Sequence, residues 1–109
     1  MEVVAGGRSA GARVACRTAV ACGAVAVLCL AFPFEPPRRP PSAPVKSRLE
    51  ELDGVHLPTL VVQGESDQFG IPPPGANRRV VIVPGNHSLR SDVAAVGAAV
   101  AEWLATVSA

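Results

Sequence analysis

Four short apolar runs constrain this chain more than anything else: residues 2–6 (EVVAG), 24–31 (AVAVLCLA), 59–63 (TLVVQ) and 79–83 (RVVIV). Each has strand length and is bounded by Gly or Pro. Runs that show little polar alternation suit strands of a parallel sheet covered on both faces. Helical signals fall between them. Residues 10–21 (AGARVACRTAVA) are Ala-rich, with Arg13 and Arg17 four apart on one face, and Gly23 reads as the stop. Residues 47–52 (SRLEEL) read as a short helix ended by Asp53-Gly54. Ser91 reads as the cap of a last helix over 92–106, with Val93, Val96, Val100, Trp103 and Leu104 as its buried stripe. Residues 32–44 (FPFEPPRRPPSAP) are too rich in proline for helix or central strand and read as an extended surface loop. Residues 72–77 (PPPGAN) read as a second loop. The alternation predicts an α/β domain over residues 1–109, a parallel sheet of about four strands with flanking helices.

Composition removes several function classes. Ten Lys and Arg face nine Asp and Glu, so the chain lacks the basic excess of a nucleic-acid binder. It is too apolar, at 49%, for a disordered chain. Cys16, Cys22 and Cys29 are odd in number, form no C-x-x-C pair and have no histidine close in sequence. They read as buried thiols in a reducing, cytoplasmic compartment, with no metal site. The uncharged stretch 18–34 follows Arg8, Arg13 and Arg17 and offers a rival reading as a short membrane anchor. Its length sits at the lower limit for a span, Gly23 divides it, and no small-x-small cleavage site follows. The membrane reading is the weaker one.

Gly7-Arg8-Ser9-Ala10-Gly11 is a G-x-S-x-G placed where an apolar strand meets an Ala-rich helix. That is the setting of a nucleophile elbow, in which the serine takes a strained backbone conformation. Gly7 and Gly11 stand two positions either side, where a Cβ is expected to crowd the turn. The helix start beneath Ser9 offers free N–H groups, and Ala10 N–H is the candidate oxyanion donor. The bland reading is a Gly-rich turn with an N-capping serine.

A serine nucleophile needs a base and an orienting carboxylate. His87 follows the run 79–83, on the carboxyl edge where parallel sheets place their sites. His56 precedes a strand, on the wrong edge, and reads as a solvated loop residue. Asp67 and Glu65 follow the run 59–63, and Asp67 has the better reach to an imidazole. Asp53 and Asp92 lie at helix ends and read as caps. The chain order Ser9, Asp67, His87 is that of α/β-hydrolases, each residue following a different strand.

The stretches GGRSAGARVA, PTLVVQGESDQFG and VPGNHSL resemble the carboxyl half of an α/β-hydrolase. They are most similar to the dienelactone-hydrolase-like group, in the branch of the testis-expressed and NSL-complex hydrolase-like proteins. The resemblance implies Ser9 as nucleophile, Asp67 as acid and His87 as base, acting on a small ester-like substrate without a cofactor. It also implies strands ahead of residue 2 that would supply a second oxyanion donor. The expectation is therefore a misassigned gene start or a truncated remnant, with run 2–6 left as an apolar edge open to self-association. A non-catalytic binding or assembly module with the same fold is the alternative to the enzyme.

Overall fold

The computed structural model describes residues 2–36 and 47–107. Residues 37–46, which include 37–44 of the proline-rich loop, lie outside the described residues. Four strands form one parallel sheet in sequential order: β1 (Val4–Arg8), β2 (Ala26–Leu30), β3 (Thr59–Gly64) and β4 (Arg78–Val83). Helix α1 (Ala10–Thr18) connects β1 to β2, α2 (Leu49–Asp53) precedes β3, and α3 (Val93–Val107) follows β4.

Side chains alternate across a strand, so each strand feeds two cores. Val27, Cys29 and Val61 face one side and pack with Ala12 and Ala15 of α1, Ala19 just after it, and Leu52 of α2. Ala26, Leu60 and Val62 face the other side and pack with Trp103 of α3. The sheet is thus covered on both faces, as its apolar runs require. α1 approaches closely because it presents alanines to the sheet. All six residues of β3 are buried, whereas β1 is half open and lies at one edge.

Several boundaries differ from the sequence reading. β1 runs to Arg8, because Gly6 and Gly7 pair with Leu28 and Cys29 instead of forming the turn. The turn falls at Ser9. α1 ends at Thr18, and the chain winds on in turns to Gly23 at φ 72°. That leaves Cys22 exposed and Cys16 half-buried, so of the three thiols only Cys29 is fully buried. Cys16 and Cys29 Sγ lie 3.6 Å apart. Their hydrogen bond holds the Cys16 thiol below the ordinary cysteine range, while the same contact and burial push Cys29 up.

At α3 it is Asp92, not Ser91, that caps: its Oδ1 accepts the Ala95 N–H at 2.9 Å. Trp103 is 3% exposed, but Val93 at 68% and Leu104 at 36% fall off the buried stripe. The packed face runs through Val96, Ala99, Val100, Trp103 and Val107. Leu104 is turned about 100° away from Trp103 by the helix period. Asp53 caps nothing; its carboxylate meets Arg78 at 3.1 Å. The uncharged stretch 18–34 is divided among the end of α1, a turn, β2 and the loop after it. Among the described residues, no helix is long and apolar enough to cross a membrane.

Candidate active site

Ser9 stands directly between β1 and α1, at φ 53° and ψ −119°. This left-handed conformation is strained for a residue with a side chain. It is held by two backbone bonds, Ser9 N–H to Leu30 O and Ala12 N–H to Ser9 O, both 2.9 Å. The turn is so tight that a Cβ on Gly7 would lie 2.2 Å from the Gly11 carbonyl carbon and oxygen. Gly7 must therefore be glycine. Gly11 need not be, since a Cβ there would meet nothing within 4 Å. The expected crowding at both positions is real at Gly7 alone, because Gly7 faces the Gly11 backbone while the Gly11 Cα faces open space.

The serine hydroxyl makes no capping bond to α1. Instead Ser9 Oγ lies 2.8 Å from His87 Nε2. His87 Nδ1 lies 2.7 Å from Asp67 Oδ2. The second carboxylate oxygen, Oδ1, accepts the Phe69 N–H at 2.8 Å, so both oxygens are engaged. The Asp67 side chain is fully shielded from solvent, and that of His87 is 22% exposed. The Phe69 ring leans on the imidazole with centroids 4.5 Å apart. Hydroxyl, imidazole and carboxylate, from three loops at the carboxyl rim, thus form one hydrogen-bonded series. Ala10 opens α1, and its N–H has no acceptor within the helix.

The acid and histidine loops are knitted together below this series. Glu65 N–H bonds to Val83 O, and both the Ser66 N–H and hydroxyl bond to Gly85 O. Gly64 permits this closeness: a Cβ there would lie 2.4 Å from Asn86 O and 2.5 Å from Gly85 O. Gly85, at φ 116°, makes the turn that starts the histidine loop. Asn86 Oδ1 accepts the Ser88 N–H and hydroxyl and braces the residues flanking His87.

Two side chains that the sequence reading did not place in this role support the site. Gln63 is fully buried, and its Oε1 accepts the Phe32 N–H at 3.0 Å. Its Nε2 donates to Phe32 O and Gly70 O, both at 2.8 Å. One amide therefore ties the loop after β2 to the far end of the acid loop. The available signal was a lone polar residue ending an apolar run, TLVVQ. Arg8, beside Ser9, donates from its guanidinium to Ser88 O and links the β1–α1 turn to the histidine loop. No pattern in the sequence joins residues 8 and 88. The side chains of Glu65 and His56 are exposed and stand outside the Ser9, His87 and Asp67 series.

A parallel α/β sheet, a strained serine at the carboxyl end of a strand, and an imidazole and a carboxylate behind it define the class of α/β-hydrolase-like folds. The chain belongs to the alpha/beta hydrolase domain family, whose model matches residues 1–94. Among solved structures it is similar to a thioesterase domain from the curacin biosynthetic pathway, with TM-score 0.60 and 16% identity. That likeness covers 91% of this chain and 64% of the thioesterase domain, so the chain spans under two thirds of that protein's length. At this identity the likeness is one of fold. No curated protein matches the sequence.

Proposed function

We propose that this chain is a serine hydrolase that transfers an acyl group from an ester-type bond, ester or thioester, to water. The observation that carries the reading is the Ser9 hydroxyl aimed at His87 Nε2 rather than at its own helix. An N-capping serine would do the opposite.

In this reading the Ser9 O–H donates to Nε2, and the Nδ1–H donates to Asp67. Ser9 Oγ attacks the acyl carbon while His87 takes its proton. Asp67 fixes the tautomer and stabilises the imidazolium that forms. The carbonyl oxygen gains negative charge at the start of α1, where Ala10 N–H and the helix dipole favour it. His87 then gives its proton to the departing alcohol or thiol, and water cleaves the acyl-enzyme by the same path reversed. The burial of Asp67 keeps its charge unscreened against the imidazolium. Three free cysteines fit a reducing compartment, and we place the protein in the cytoplasm on that ground.

The test is turnover of p-nitrophenyl acetate. Ser9→Ala and His87→Ala are expected to lower kcat by about 10³-fold or more, and Asp67→Asn by a similar factor. A Ser9→Ala protein that hydrolyses the ester at the unmodified rate would remove the reading. A folded but inert wild-type chain would favour a non-catalytic module of the same fold.

A further inference from the structure

Beside His87 lies a cavity of about 540 Å³ lined by Arg8, Ser66, Gln68, Asn86, His87 and Ser88. Every wall residue is polar, none is a carboxylate, and one is a permanent cation. Arg13 and Arg78 are neutralised by Glu51 and Asp53, but Arg8 has no carboxylate partner among the described residues. Its one side-chain bond goes to the Ser88 carbonyl, which leaves further N–H donors of the guanidinium for another acceptor. The place of the cavity assigns its contents. In acyl transfer the imidazole that took the serine proton hands it to the leaving group, so the leaving group lies on the histidine side. Ser9 does not line this cavity, whereas His87 does.

We propose that this cavity receives the leaving-group portion of the substrate, and that this portion carries an anionic group, carboxylate or phosphate, held by Arg8. The proposal rests on the acyl-transfer reading above and adds the chemical class of the departing alcohol or thiol. Ser66, Gln68, Asn86 and Ser88 supply hydroxyls and amides to a hydrophilic body between the anion and the scissile bond. A guanidinium pairs well with a carboxylate or phosphate through two parallel N–H bonds. Arg8 is exposed, so the attraction weakens as salt rises.

The experiment compares 3-acetoxybenzoate with 3-acetoxybenzamide, which share the acyl group and differ in the charge of the leaving phenol. Each rate is divided by that ester's own rate with hydroxide. The wild-type chain is expected to prefer the anionic ester by about 3- to 5-fold in kcat/KM, the worth of a partly solvated ion pair. In Arg8→Gln the ratio of the two rates should collapse towards one, and in Arg8→Lys it should be partly kept. The ratio is the readout because loosening the Ser88 contact slows both esters together. Monophenyl succinate, charged on the acyl side, should show no such dependence on Arg8. In parallel, calorimetry on Ser9→Ala should find the intact anionic ester bound more tightly than the amide, and Arg8→Gln in that background should remove the difference. Turnover without a charge preference, or a preference that appears only with monophenyl succinate, overturns this inference and leaves the acyl-transfer reading standing. An inert wild-type chain whose Ser9→Ala form still binds the anionic ester through Arg8 keeps the anion site and removes the acyl-transfer reading. No turnover and no Arg8-dependent binding overturns both.

Discussion

β3 is buried along all six of its residues and pairs on both sides, while β1 is half open and pairs with β2 alone. Each is followed by a residue of the same hydrogen-bonded series. Asp67 follows β3 and is held by its surroundings: a neighbouring strand on either side of β3, the Gln63 amide, and close contact between Gly64 and the residue 85–86 backbone. Ser9 follows β1 and is held by one bond to β2, from its N–H to Leu30 O, and by a left-handed turn that Gly7 makes possible. The comparison teaches that members of one hydrogen-bonded series can be fixed in two ways. One depends on the core and therefore on global stability. The other depends on a few local dihedrals and one bond to a single neighbouring strand, and it stands at a half-open edge.

Unequal responses to matched changes would sharpen this contrast, and equal ones would break it. The largest effect is expected for Leu60→Ala, which empties a fully buried position of β3. It should cost about 2–5 kcal/mol in urea unfolding. Val4→Ala on β1 packs against the same core from a half-buried position and should cost about 1 kcal/mol or less. Similar losses for the two would mean that β1 is anchored as firmly as β3.

The next pair exchanges glycines. Gly64→Ala drives a Cβ into carbonyl oxygens of a loop packed between strand ends, and about 1–3 kcal/mol of stability should be lost. Gly7→Ala drives a Cβ to 2.2 Å from the Gly11 carbonyl, a clash that only a shift of the turn around Ser9 relieves. There the loss should show first in esterase turnover, by about 10²-fold, from a misplaced nucleophile. Turnover that survives Gly7→Ala would contradict the account of the elbow.

The smallest effect concerns the helix beside β1. Arg13 Nε bonds both oxygens of Glu51, each at 3.1 Å, and pins α1 to α2 from a partly solvated position. Arg13→Gln should shift the urea midpoint by no more than about 1 kcal/mol equivalent. A larger shift would make this pair a principal clamp on the elbow helix.

What the sequence revealed follows the same division. The strands, their parallel order and the rim at which Ser9, Asp67 and His87 meet were legible, because apolar runs separated by helices and turns leave few other arrangements. Local endpoints were not. Gly6-Gly7 reads as a stop, yet glycines pair in a parallel ladder as well as other residues when a neighbouring strand is present. The choice of Asp92 over Ser91 as cap is a shift of one residue. Cys22 reads as buried only while the helix is taken past Thr18. Contacts between residues far apart in sequence were the least legible. The Gln63 bonds to Phe32 span 31 residues, and the Arg8 bond to Ser88 spans 80.

The central claim is that Ser9 is a nucleophile activated through His87. The most direct measurement is intact-mass and peptide-mapping analysis after reaction with a fluorophosphonate, which acylation-competent serines attack and N-capping serines do not. The account predicts a single adduct on Ser9, absent in Ser9→Ala and strongly slowed in His87→Ala. A folded chain that carries no adduct, or carries one that persists in Ser9→Ala, would contradict it.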